Sequence, residues 1–108
     1  MNILSPQRYE ARARIAKALS HPTRLMFLDA LRHEGELCVC ELTKLASIDQ
    51  STVSKHLAIL RDAGLVSVHK KGSMSYYSVK CECLEGFFGC IETVLIENAR
   101  AQQELVSH

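Results

Sequence analysis

The sequence predicts a mainly α-helical fold with a small β-hairpin, a winged helix-turn-helix of order α-α-α-α-β-β-α. Three observations lead there. Between residues 38 and 63 two short helical patterns follow one another across a polar break, Ser47-Ile48-Asp49. After Gly64 the apolar spacing shortens from that of a helix to that of a strand. From Cys83 the helical spacing returns, with Leu84, Phe87, Phe88, Ile91 and Leu95 on one stripe.

Each element has its own signals. Residues 8–20 set Ala11, Ile15, Ala18 and Leu19 against Arg12, Arg14 and Lys17, which is a first helix. Ser20-His21-Pro22 ends it and opens the next, because proline suits a first helical turn and disfavours helix in the residue before it. His21 is expected to act as a structural cap. Residues 22–33 carry Leu25, Met26, Leu28, Ala30 and Leu31 and stop near Gly35. A third helix over 38–46 buries Leu42, Leu45 and Ala46. A fourth, over 50–63, buries Val53, Leu57 and Leu60 at spacings of four and three and leaves Gln50, Ser51, Ser54, Lys55 and His56 outward. Gly64 terminates it. Leu65, Val66 and Val68, then Met74, Tyr76, Tyr77 and Val79, flank Lys70-Lys71-Gly72-Ser73 as a hairpin with a basic tip. With no internal repeat and no linker, residues 1–108 read as one domain.

Composition narrows the class. A chain of 108 residues fits one core, and 47% apolar with 23% charged residues is globular rather than disordered. The net charge of +1 leaves no general basic footprint, so attraction to an anionic partner must come from local cations: Lys55, Arg61, Lys70 and Lys71. No basic head with an apolar run opens the chain, and no uncharged apolar run approaches the ~18 residues that span a bilayer. Five cysteines without an export signal predict reduced thiols in a cytoplasmic protein that has no membrane partner.

Small polar and cationic side chains at the start of the second helix of such a unit suit base edges and phosphates in a major groove. Gln50, Ser51, Thr52, Ser54, Lys55 and His56 are therefore the candidate reading residues of a double-stranded DNA partner, and Lys70 and Lys71 the candidate phosphate or minor-groove contacts. Cys38-x-Cys40 places two soft donors at the start of the helix that positions the reader. On an ideal helix they point about 200° apart. Both reach one ion only if that helix start is unwound, and chelation would then distort the reader's support. Cys81-x-Cys83 follows a strand, where such a pair shares a face. Cys90 lies about 10 Å further along the last helix. The last helix also carries more apolar surface than so small a core can use, which predicts a dimer face.

Four stretches carry a family resemblance: Ala18-Leu19-Ser20-His21-Pro22-Thr23-Arg24-Leu25, Glu36-Leu37-Cys38-Val39-Cys40-Glu41-Leu42, Ser51-Thr52-Val53-Ser54-Lys55-His56-Leu57 and Leu60-Arg61-Asp62-Ala63-Gly64-Leu65-Val66. Together they resemble the ArsR/SmtB family of metal-responsive repressors, in order, from about residue 8 to residue 98. The resemblance implies a homodimer that sits on an imperfect inverted repeat of operator DNA and leaves it when a metal binds. The box around Cys38 and Cys40 looks like the arsenite- and cadmium/lead-sensing branches. That implies As(III) as the favoured ion, with Cd(II), Pb(II) or Zn(II) as alternatives. Thr43 stands where the arsenite branch has its third thiolate, and residues 1–37 lack the cysteines of the cadmium/lead branch. Cys81 and Cys83 occupy the first positions of the zinc-sensing site, whose later positions hold Val94 and Glu97. Cys81, Cys83 and Cys90 thus form a secondary candidate set.

The same thiols would also suit a redox- or persulfide-sensing repressor. A thiol enzyme needs a nucleophile with its base or a Cys-x-x-Cys motif. The sequence shows neither.

Overall fold

A computed structural model describes residues 1–106. Helix α1 (Pro6–Leu19) opens where the Ser5 hydroxyl accepts the Arg8 N–H at 3.3 Å, with Pro6 in the first turn. Helix α2 (Pro22–Glu34) repeats the device: His21 Nδ1 accepts the Thr23 N–H at 3.1 Å ahead of Pro22. The expected cap at His21 is therefore present. Gly35, at φ +89°, turns the chain out of α2.

The chain next forms β1 (Glu36–Cys38), which leads directly into α3 (Val39–Ala46), then α4 (Gln50–Asp62), β2 (Val66–Lys71), β3 (Met74–Val79) and α5 (Leu84–Val106). The strand β1 is an addition to the expected α-α-α-α-β-β-α order. Three residues are too few to show an alternation, and only Leu37, opposite Tyr77, turns a large apolar side chain toward the core. The sheet is antiparallel, in order β1-β3-β2, with Cys38 beside Tyr76 and Tyr76 beside His69. Gly72, at φ +63°, makes the two-residue turn of the wing.

The core gathers Phe27, Leu28 and Leu31 of α2, Leu42 of α3, Val53, Leu57 and Leu60 of α4, Val66 and Tyr77 of the hairpin and Leu84 of α5. The inward face of α4 is the one its spacing predicts. Its end is a Schellman arrangement: Gly64 N–H reaches Arg61 O at 2.9 Å and Leu65 N–H reaches Leu60 O at 3.0 Å, with Gly64 at φ +81°. This fixes where the hairpin leaves the helix and so where the wing stands beside the reader.

Along α5 the apolar stripe divides. Leu84 is buried and Phe87 and Phe88 are half-buried against the core, while Val94, Leu95 and Ile96 are 54%, 55% and 56% exposed. No helix of the described residues is long and apolar enough to cross a membrane.

Candidate functional site

The start of α4 is open to solvent. Asp49 caps it: its carboxylate accepts the Thr52 N–H at 3.0 Å, the Thr52 hydroxyl at 2.8 Å and the Ser51 hydroxyl. Those bonds, Ser51 first, hold the Asp49 carboxyl down to about 2. Gln50, Ser51, Ser54 and Lys55 are exposed and Thr52 is half-buried. Five of the six candidate reading residues thus stand on or beside one open face.

His56 departs from the expectation. Rather than pointing outward, it is half-buried, its Nδ1 lies 3.1 Å from Arg24 Nη1, and its ring is 4.4 Å from that of His21. One place before Leu57, it falls on the edge of the buried stripe. Arg24 also donates to Ala18 O at 2.6 Å and Lys17 O at 3.3 Å, so it ties the end of α1 to the reading helix. A guanidinium only donates, so His56 Nδ1 must accept and the imidazole is neutral. Burial, then the neighbouring His21 and Arg24, lowers its pKa below the ordinary 6.5.

The consequence is a pH dependence of stability. The unfolded chain takes up this proton at a higher pH than the folded one, so the contribution is full above about pH 6.5 and is lost as pH falls toward the folded value. Thermal melting between pH 7.5 and 5 should fall more steeply for the wild type than for His56→Gln, which keeps an acceptor for Arg24. Parallel curves would contradict it.

On the wing, Lys70 and Lys71 are not equivalent. Lys70 is exposed, and among the described residues it has no ion-pair partner. Lys71 Nζ is bound to Glu36 Oε1 of β1, whose Oε2 lies 3.0 Å from His69 Nε2. The Lys71 hydrogen bond leads the causes that hold the Glu36 carboxyl below its ordinary range, and Glu36 in turn raises Lys71. Sequence reasoning missed Glu36. Its signal was the two-residue spacing to Cys38, which carries meaning only once residues 36–38 are known to be a strand.

Cys38 lies outside the helix, at its N-cap, with φ −82° and ψ 165°. Its Sγ accepts the Glu41 N–H at 3.4 Å while Glu41 Oε1 accepts the Cys38 N–H at 3.1 Å, a reciprocal capping box with a thiol in place of a hydroxyl. Cys38 is buried and Cys40, in the first turn, is exposed. Burial pushes the Cys38 thiol up; the Glu41 N–H opposes this, while the Glu41 carboxylate and Cys40 add to it. Cys38 thus stands in extended backbone just ahead of the helix and Cys40 within its first turn. Both cysteines line a cleft of about 180 Å³ whose other walls are Val39, Gln50 at the tip of the reading helix, and Ser73, Met74 and Ser75 at the wing turn. Thr43 gives its hydroxyl proton to Val39 O at 2.7 Å. Among the described residues no group of three or more His, Cys, Asp or Glu is placed to hold one ion.

The reduced-thiol expectation is corrected at the second pair. Cys81 and Cys83 are joined as a disulfide, their Cα atoms 5.5 Å apart in the turn between β3 and α5. The turn puts an i, i+2 pair on one side, within the span a disulfide bridges. In this state they offer no thiolates. Cys90 is a free, exposed thiol on α5, in an apolar groove with Phe87, Ile91, Val94 and Leu95.

Residues 21–68 match the family model described as bacterial regulatory protein, arsR family. The chain is 41% identical over 70 residues to the arsenical resistance operon repressor of Bacillus subtilis, covering 65% of this chain and 67% of that one. The chain belongs to the ArsR family. A second relative, an uncharacterized HTH-type transcriptional regulator of Methanocaldococcus jannaschii, is 41% identical over 73 residues, covering 68% of this chain and 82% of that protein. The crystal structure of NolR from Sinorhizobium fredii superposes with a TM-score of 0.74 at 32% identity, covering 87% of this chain and 96% of that one. Membership of the ArsR family makes the fold a winged helix-turn-helix, with α3 and α4 as its two helices and β2–β3 as its wing. It also makes the protein a DNA-binding transcriptional regulator rather than an enzyme.

Proposed function

We propose that the protein is a homodimeric repressor that leaves an imperfect inverted repeat of operator DNA when a soft metal or metalloid, As(III) in first place, binds Cys38 and Cys40. The observation that carries this reading is the cleft that joins both thiols to Gln50 and the wing turn. A ligand seated there bears at once on the tip of the reading helix and on the wing. Gln50, Ser51, Thr52, Ser54 and Lys55 would meet the major groove, and Lys70 the backbone.

Thiolates select As(III), Cd(II) and Pb(II), and Zn(II) accepts them. Two protein sulfurs suffice for a first step: two thiols and arsenous acid, As(OH)₃, give a dithiolate arsenic hydroxide and two waters. A small exogenous thiol can then replace the hydroxide with loss of a third water. In this scheme Cys38 Sγ turns from the Glu41 N–H toward Cys40, which loosens the cap of α3 and with it the support of α4. The arsenical name of the Bacillus relative and the cadmium name of a Staphylococcus aureus relative fit soft-ion sensing.

A second reading, thiol redox or persulfide sensing, is favoured by one observation, the Cys81–Cys83 bond at the root of α5. Titrating the reduced protein on operator DNA with As(III), Cd(II), Pb(II) and Zn(II), and separately with an oxidant and a persulfide donor, separates the two. The leading reading expects release by a stoichiometric soft ion under reducing conditions. Release by the oxidant or persulfide donor alone would favour the second.

A further inference from the structure

The outer face of the sheet holds an ion cluster that soft-ion release does not use. Glu36 faces away from the core side of β1, where Leu37 pairs with the buried Tyr77. Its neighbour Ser78 meets Ser67 on the same face at 3.1 Å. From this edge strand the carboxylate reaches across β3 to two basic side chains of β2, one oxygen on Lys71 Nζ and the other 3.0 Å from His69 Nε2. Tyr76 of the middle strand completes the cluster, with Lys71 Nζ 5.1 Å from its ring centre and His69 stacked beside it at 6.1 Å.

A carboxylate that engages a wing lysine and a wing histidine with separate oxygens takes the place a DNA phosphate would take. We propose that Glu36 is an intramolecular phosphate surrogate, which withholds Lys71 and His69 from the DNA backbone and so lowers the protein's affinity for operator and bulk DNA alike. The inference rests on the reading of the wing as a DNA contact. Backbone contacts supply nearly all non-specific affinity, and they add to operator and random sequence alike. Each cation held back therefore weakens binding to both without touching base readout. Lys70, one residue along and on the opposite face of β2, has no ion-pair partner among the described residues.

The test is the salt dependence of binding to an operator duplex and to a random-sequence duplex, for wild type, Glu36→Gln, Lys71→Met, the double variant and Lys70→Met. Glu36→Gln should tighten random-duplex binding and steepen its salt slope by about 0.9 per released cation. Lys71→Met alone should leave the wild-type slope unchanged, since that charge is already committed, yet it should cancel the Lys71 share of the gain in the Glu36→Gln background. The Lys71→Met arm does not depend on how Glu36→Gln folds. Wild-type affinity and slope in Glu36→Gln, or a slope that is shallower by about 0.9 in Lys71→Met alone, overturns the inference. In the first case Lys70→Met locates the failure. A slope reduced by about 0.9 keeps the wing on the DNA and removes only the surrogate, while an unchanged slope removes both.

Discussion

Replacing Leu57 by alanine is expected to cost the fold about 2–5 kcal/mol, in the range of buried leucine truncations. Leu57 is fully buried on α4, within the cluster that includes Val53, Leu60, Phe27 and Leu42. The space it leaves lies against the helix that carries Gln50 and Lys55, so operator binding should weaken along with stability. For a domain of this size each kcal/mol lowers the melting temperature by about 4–8 °C. Ile59, on the same helix but 42% exposed, is the control, and its alanine variant should stay within about 0.5 kcal/mol of wild type. Denaturant unfolding at one fixed protein concentration measures both, because dimerisation adds to apparent stability. A Leu57→Ala cost no larger than that of Ile59→Ala would mean that α4 does not bury the face described.

The second large effect concerns assembly. Val94 and Leu95 are each more than half exposed, and Phe87 and Ile91 continue the same apolar groove toward the core. A Val94→Asp/Leu95→Asp variant should therefore keep its fold and lose its dimer. Two tethered reading heads bind with an affinity gain of about 10²–10⁴ over one, so the monomer should lose operator affinity by at least about two orders of magnitude. Sedimentation at micromolar concentration, with helix content by circular dichroism and a DNA titration, separates assembly from folding. A wild-type protein that sediments as a monomer, or a double variant that stays dimeric, places the interface elsewhere.

How much of this the sequence carried varied with the physical signal. The four N-terminal helices, the wing and α5 were legible because each has a long apolar period or a strong stop at Pro22, Gly35, Gly64 or Gly72. The strand Glu36–Cys38 was not, since three residues give no period. Its absence hid two features: Cys38 caps α3 from an extended conformation, and Glu36 shares a sheet face with Lys71 and His69 of the wing. His56 misled because the helical wheel places it at the edge of the buried stripe. Its side is decided by Arg24, a residue 32 positions earlier that local pattern cannot supply. The bond between Cys81 and Cys83 depends on the geometry of one turn rather than on cysteine count.

In the proposed function an ion bound by Cys38 and Cys40 releases the DNA. Serine at position 38 is itself a preferred N-cap and can accept the Glu41 N–H, so Cys38→Ser/Cys40→Ser should keep the helix start and the ion-free operator affinity. The decisive measurement is operator affinity with and without As(III), under reducing conditions, for wild type, Cys38→Ser/Cys40→Ser and Cys81→Ser/Cys83→Ser. The predicted result is release of wild type and of the second variant, with the first remaining bound at every ion concentration that frees wild type. Release of Cys38→Ser/Cys40→Ser at the wild-type concentration, with Cys81→Ser/Cys83→Ser holding its operator, would contradict sensing at Cys38 and Cys40 and move the sensor to the root of α5.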